Sequence, residues 1–455
     1  MPLSIQSTTG TTIKSIHEDV SVEQEQKSPA DTQDKRRVPL WSAIVLPLLV
    51  TRMLLLLIGV VTTYYIGPLL DRHQPIRIAD QGKEFPAMLW LMWLRFDSNF
   101  YLGIAQGGYW DAESLHGASN WAFFPLFPLL LHLLALPFGV STTALTFAGI
   151  VVANGATVVA AIYLYKLTAR ELSHAMAARA VFYLALFPLS YYLSAVYPES
   201  LFLALSIACI YYARTRRWWL AGLCGGFAAL TRPQGVLLAA VVAWEYWQCL
   251  ADQYYPLELG SAHVTVRHWL RSRIVGLLRS LRAWRTWSGM VALLLIPSGL
   301  ALFCLYGEWK VGTFLPFSVT EREGWGRHFR NPIKFLFETF THPVAPNPYD
   351  WNFYGLSIVC ILILLALLIP LFRKLPAIYG IFTLLFFVMP LTTGSLQSSA
   401  RFTMCIFPLY LLLAWWTSQG NSEQQMRRHA YTSAAFAALL ALATVLLTLG
   451  VYSMS

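Results

Sequence analysis

Residues 38–67 carry a single charged side chain, Arg52, in an otherwise apolar run. About 20 helical residues cross a hydrocarbon core, and a bilayer admits only segments whose backbone polar groups are satisfied internally. This run therefore reads as a membrane helix. Lys35, Arg36 and Arg37 stand directly before it, and no small-residue cleavage site is evident. It is too long for a cleaved signal peptide, so we read it as a signal anchor with a cytoplasmic N-terminus. The preceding residues 1–37 are polar, rich in Ser, Thr and Gln, and without periodicity, which predicts a disordered cytoplasmic tail.

Further runs of membrane length, or close to it, lie at 144–168, 176–196, 201–213, 218–230, 235–250, 289–306, 353–371, 376–392, 403–418 and 430–452. With the first they predict an all-α polytopic membrane protein of about eleven transmembrane helices. The run 123–138 is broken by Pro125, Pro128 and Pro137. Charge decides how to place it. If it does not cross, Lys166, Arg170, Arg179, Arg214, Arg216, Arg217, Arg373, Lys374, Arg427 and Arg428 all fall on the cytoplasmic side, as the positive-inside bias requires. It is therefore expected to be re-entrant or interfacial.

Composition agrees with this reading. Apolar residues make up 56% of the chain and charged ones only 12%, where a soluble chain carries about 25% charged residues. That excludes a water-exposed surface over most of the length. The net charge of +10 would suggest nucleic acid in a soluble protein, but here it marks cationic cytoplasmic loops. The basic loop at 251–288 holds Arg267, Arg271, Arg273, Arg279, Arg282 and Arg285 among Trp269, Leu270, Leu277, Leu281 and Trp284. Such a pattern predicts an interfacial helix on anionic membrane lipid, with no nucleic-acid partner.

The six cysteines lie singly, without a C-x-x-C pair, and no histidine spacing or acidic pair suits a metal. No metal ligands and no obligatory cofactor are predicted, although a phosphate leaving group can recruit a divalent cation without a motif. His328 and His342 read as surface residues. The polar outer pieces are a first external region at 68–143, the corners at 197–199 and 231–234, the external loop at 307–352 and the turn at 397–401. Five separated segments on one face suit either a site grafted on a helical scaffold or a set of plain loops.

Within the first of these pieces one carboxylate, Asp97, is surrounded by aromatics, and Phe96, Phe100 and Ile104 keep helical i, i+4 spacing. An interfacial helix with Asp97 near its start fits. Asp97 either caps that helix or accepts a proton from the hydroxyl of a lipid-linked acceptor.

The string Arg95-Phe96-Asp97 with Phe100, Ile104-Ala105 and Gly108-Tyr109, followed by residues 120–129 (NWAFFPLFPL), resembles the PIG-V family of GPI-anchor mannosyltransferase II and its prokaryotic relatives. So do Tyr197-Pro198-Glu199-Ser200-Leu201-Phe202 and Thr231-Arg232-Pro233-Gln234-Gly235. Weaker matches are Gly312 with Trp325-Gly326-Arg327, and Ser399-Ala400-Arg401-Phe402 with Phe407-Pro408-Leu409. The matches keep the family's order across 93–413.

The resemblance implies a GT-C type transmembrane glycosyltransferase domain over 38–455, with the catalytic Asp97 in the first external loop. It also implies a polyprenyl-phosphate sugar donor, usually of mannose, and inverting transfer to a glycolipid acceptor on the extracytoplasmic side. The membrane would be the plasma membrane of a prokaryote or the endoplasmic reticulum of a eukaryote.

Physical chemistry supplies roles alongside it. A prenyl phosphate leaves as an anion and needs cationic donors. Arg232 and Arg401 are candidates to fork its oxygens, or to snorkel into headgroups. Glu199 and Arg327 are candidates to orient sugars. Glu199 also suits a helix start or a pair with an Arg. Arg95 is a candidate contact to the donor phosphate or to a headgroup. Trp121 and Phe124 would line a sugar or prenyl groove, or form an interfacial belt. Arg52, mid-membrane, needs a partner or a polar cavity. A lipid or lipid-linked sugar transporter and a non-catalytic sugar-binding subunit are the alternative readings.

Overall fold

A computed structural model describes residues 39–66, 87–255, 266–341, 348–396 and 399–449. The tail expected at 1–37, residues 67–86 of the first external region and His342 lie outside them.

The described residues form helices and no strand. In chain order these are α1 (Trp41–Ile66), α2 (Ser98–Gly107), α3 (Leu126–Ala135), α4 (Thr142–Glu171), α5 (His174–Leu186), α6 (Glu199–Arg214), α7 (Trp218–Thr231) and α8 (Leu238–Tyr254). They continue with α9 (Val266–Ser280), α10 (Trp284–Val311), α11 (Pro316–Trp325), α12 (Pro332–Thr341) and α13 (Pro348–Lys374). The last four are α14 (Ala377–Thr392), α15 (Ser399–Thr403), α16 (Pro408–Thr417) and α17 (Ser422–Thr448).

Among the described residues, five segments are long and apolar enough to cross a membrane: α1, α4, Thr286–Val311 of α10, Ser357–Lys374 of α13, and α17. The chain is an integral membrane protein. The other runs form shorter helices than the sequence suggested, and prolines are one reason. The run 176–196 stops as α5 before Pro188, because the residue preceding a proline is pushed out of the helical region, and Phe187 has ψ of 139°. The run 403–418 becomes helical only from Pro408. The proline-broken run forms the helical stretch Leu126–Phe138, about 20 Å long at 1.5 Å per residue, short of a roughly 30 Å hydrocarbon core.

The site is positioned by α6. Apolar on all sides, this helix is buried: Phe202, Leu203, Ile207, Cys209 and Ile210 are at most 1% exposed. It packs between α4 and α7, and the Tyr163 and Tyr212 hydroxyls meet at 2.6 Å. Next to it, α7 and α10 touch backbone to backbone through small residues. A Cβ on Gly222 would lie 2.0 Å from the Ala292 carbonyl oxygen, so only glycine permits that approach. Outward, α1 exposes Leu49, Met53 and Leu57, and α10 exposes Leu294 and Leu302. These faces belong against acyl chains.

The two ends of α6 are chemically distinct. Its last residue, Arg214, meets Glu171 at the end of α4. Arg170 and Arg216 border a cavity at that end, with Pro376 just before α14. Its first residue, Glu199, lies under a second cavity at the opposite end.

Candidate active site

That second cavity measures about 570 Å³, and its lining includes Asp97, Phe124, Arg232, Glu321, Arg327 and Arg401. Asp97 holds the N-cap position of α2, yet its side chain makes no capping bond. Its Oδ2 instead accepts from Arg401 Nη1 at 3.0 Å. The capping reading thus loses its basis, and Asp97 keeps 29% side-chain exposure toward the cavity.

The turn that presents Asp97 is strained and clamped. Phe96 has φ of 49°, a conformation that bulky residues rarely adopt. The Tyr197 hydroxyl donates to the Arg95 carbonyl at 2.8 Å and accepts from the Asp97 N–H at 3.0 Å. Burial, followed by the negative charge of Asp97, pushes the Tyr197 phenol well above its ordinary pKa, so it stays a neutral donor. Tyr197 appeared in the sequence only as part of a motif.

Arg232 is placed by the proline after it. Residues before proline favour extended backbone, so α7 ends at Thr231 and Arg232 adopts φ −154°, ψ 147°. Its Nη1 lies 2.5 Å from Glu199 Oε1. The same oxygen is 3.2 Å from Arg401 Nε. Glu199 is fully buried, and its Oε2 has no hydrogen-bond partner among the described residues. Phe402 supplies a ring 4.5 Å from the Arg232 guanidinium and 5.5 Å from that of Arg401, whose other side faces Tyr197 at 5.2 Å. Burial opposes the charge on Arg401, but Glu199 and then Asp97 hold its pKa well above the ordinary value. Asp97–Arg401–Glu199–Arg232 is one continuous chain of charges.

Across the cavity, Arg327 Nη1 donates to Glu321 Oε2 at 2.9 Å. Burial raises the Glu321 pKa, with Arg327 opposing and Asp97 adding. The sequence reading missed Glu321; its one signal was a position six residues before Arg327 in a helix started by Pro316.

Three expected positions differ in what they face. Arg95 turns away from the cavity and donates to the Thr448 carbonyl, at 2.9 Å from Nη2, at the end of α17. Trp121 is fully buried behind the wall, stacked on Tyr109 at 4.5 Å, with its indole N–H on the Trp110 carbonyl. Glu199 lies beneath the arginines rather than on the cavity surface. Phe124 lines the cavity as expected, and His328 sits exposed at its margin. Arg52 donates to the Ser190 carbonyl at 2.9 Å and has no ion pair among the described residues. No group of three or more His, Cys, Asp or Glu side chains able to hold a metal occurs among the described residues.

The model of the family described as Mannosyltransferase (PIG-V) matches residues 33–284, more than half of the chain. The chain belongs to the PIG-V mannosyltransferase family. The match spans the turn with Asp97 and the corners with Glu199 and Arg232, so this membrane protein is a glycosyltransferase by family. Arg327 and Arg401 lie beyond the matched residues and join the site through the fold.

Comparison with curated proteins finds no match. Among solved structures, an oligosaccharyltransferase of Archaeoglobus fulgidus in complex with zinc and sulfate aligns at 13% identity, covering 89% of this chain and 53% of that one, with a TM-score of 0.40. ArnT of Cupriavidus metallidurans bound to undecaprenyl phosphate aligns at 12% identity, over 79% and 72%, with a TM-score of 0.42. The chain spans about half the length of the oligosaccharyltransferase.

Proposed function

We propose that the protein transfers a hexose, mannose by family, from a polyprenyl-phosphate donor to a hydroxyl of a glycolipid acceptor, with inversion. The observation that carries the reading is Arg401 shared between Asp97 and Glu199 at the wall of the cavity. A single displacement needs a base on the acceptor side and cations on the leaving-group side. Asp97 and the Arg232–Arg401 pair are that combination in adjacent positions.

Arg401 is hydrogen-bonded to Asp97. An arriving phosphate competes for the guanidinium and frees Oδ2 to take the acceptor proton. As the acceptor oxygen bonds to the anomeric carbon, the carbon–oxygen bond to phosphate breaks on the opposite face. The electron pair leaves with the prenyl phosphate, held by Arg232 and Arg401. Glu199, in contact with both guanidinium groups, sets the spacing of the two arginines. Arg327 and Glu321, with Phe124, are assigned to the sugar. The leaving group's charge is assigned to arginines, with no step given to a divalent cation.

The remaining topology follows the charge argument: about eleven passages, a GT-C type arrangement, and the cavity facing away from the cytoplasm.

The test supplies purified protein in liposomes with polyprenyl-phosphate mannose and a glycolipid mixture, and follows product mass. A glycolipid one hexose heavier supports the reading. Transfer from a nucleotide sugar but not from the polyprenyl phosphate overturns it.

A further inference from the structure

The cavity at the other end of α6 measures about 410 Å³ and has Trp218, Trp244 and Trp269 among its walls. Its Arg214 is fully engaged by Glu171 and Glu245. Arg216 is not: this lining residue is exposed and has no ion pair among the described residues. Gln248 also lines the cavity, and its Nε2 is buried without a hydrogen-bond partner among the described residues. Among the described residues, one cation without an ion pair and one buried amide N–H without an acceptor thus line the same aromatic-walled cavity.

The backbone makes Arg216 more telling. Its φ is +59°. The Arg217 N–H bonds the Tyr212 carbonyl and the Arg216 N–H bonds the Ala213 carbonyl, the helix-terminating arrangement in which glycine is the usual residue at this left-handed position. An arginine that lines the cavity is held where it is conformationally disfavoured; strain of this kind gathers at ligand sites.

The helix that supplies Trp269 adds the second half. On its inner face α9 is fixed by Gly276 against Ala251 and by Arg273 on Asp252. Outward it turns Leu270, Ile274 and Leu278, which are 43%, 52% and 61% exposed, beside exposed Arg271 and Arg279. An apolar stripe flanked by arginines complements a bilayer of anionic lipid.

We propose that this end of the bundle is an anionic-phospholipid site. The headgroup phosphate takes Arg216 and Gln248, and the acyl chains follow the Leu270–Ile274–Leu278 stripe. The site is separate from the proposed transfer site and does not depend on it.

Native mass spectrometry of the purified full chain titrated with phosphatidylglycerol or phosphatidylcholine tests this. The expected result is phosphatidylglycerol bound about tenfold or more tightly than phosphatidylcholine. Arg216→Gly, which suits the left-handed backbone, should lose that preference while its melting temperature stays equal or rises, and Gln248→Met should weaken it. Arg401→Gln, at the far end, should keep it. Equal binding of the two lipids, or full preference in Arg216→Gly, would overturn the proposal. So would displacement of the lipid by equimolar inorganic phosphate or glycerol phosphate, which would make the site one for soluble phosphate.

Discussion

Both ends of α6 carry a network of buried charges, but only one network is complete. At the Arg214 end, Nε and Nη2 fork the two Glu171 oxygens at 2.8 and 3.0 Å, and Nη1 takes Glu245. The fork uses the geometry in which arginine binds carboxylate best, and it ties α4, α6 and α8 together. At the Glu199 end, one carboxylate oxygen is shared by two arginines, the other has no hydrogen-bond partner among the described residues, and Asp97 opens on a cavity. A satisfied network holds helices together. An unsatisfied one beside a cavity has bonding capacity left for a ligand, and that difference separates the Arg214 fork from the proposed transfer site.

The largest effect that bears on this contrast is on rate. Asp97→Asn should lower transfer about 10²- to 10⁴-fold, the usual contribution of a general base, while Glu171→Gln leaves the rate per folded molecule unchanged. Steady-state transfer normalised to folded protein measures both, and equal losses would erase the distinction. The next effect is on stability. Glu199→Gln strands Arg232 and leaves Arg401 only Asp97, and should cost about 3–5 kcal/mol. Glu171→Gln should cost less, because Arg214 retains Glu245. Chemical denaturation in detergent compares them.

Tyr197→Phe removes the hydroxyl that clamps the Asp97 turn. The expected loss is about tenfold in kcat, or about 1.4 kcal/mol, with donor KM unchanged; a rise in KM alone would move Tyr197 to substrate binding. The smallest effect is on pH dependence. Because burial raises Glu321 above its ordinary 4.5, its contribution to stability is fully present below that value and is lost as pH rises through the folded pKa. Glu321→Gln should flatten this part of the profile in melting curves between about pH 4 and pH 7.

Much of this was legible in the sequence where the signal is local. The apolar run ahead of Lys374 and the run after Arg428 gave membrane helices because length and hydropathy are properties of a segment. Asp97 stood out because a lone carboxylate among aromatics is unusual. What was not legible depends on contacts far apart in the chain. Nothing in the motif around Glu199 shows that it sits beneath Arg232 and Arg401. Arg95 reads from the sequence as a contact to the donor phosphate or to a lipid headgroup, but the carbonyl of Thr448, at the negative end of a helix dipole, captures it. Trp121 looked like a groove residue, and its stacking on Tyr109 buries it instead. Where runs contain Pro188 or Pro408 the helices are shorter than the apolar runs, since hydropathy does not register a broken helix.

The central claim is that the donor phosphate takes Arg401 from Asp97. A structure of the protein with polyprenyl phosphate bound tests it most directly. Phosphate oxygens are expected within hydrogen-bond reach of both Arg232 and Arg401, with the Arg401–Asp97 contact broken and Glu199 in place. Phosphate bound elsewhere, or bound while the Arg401–Asp97 contact persists, would contradict it.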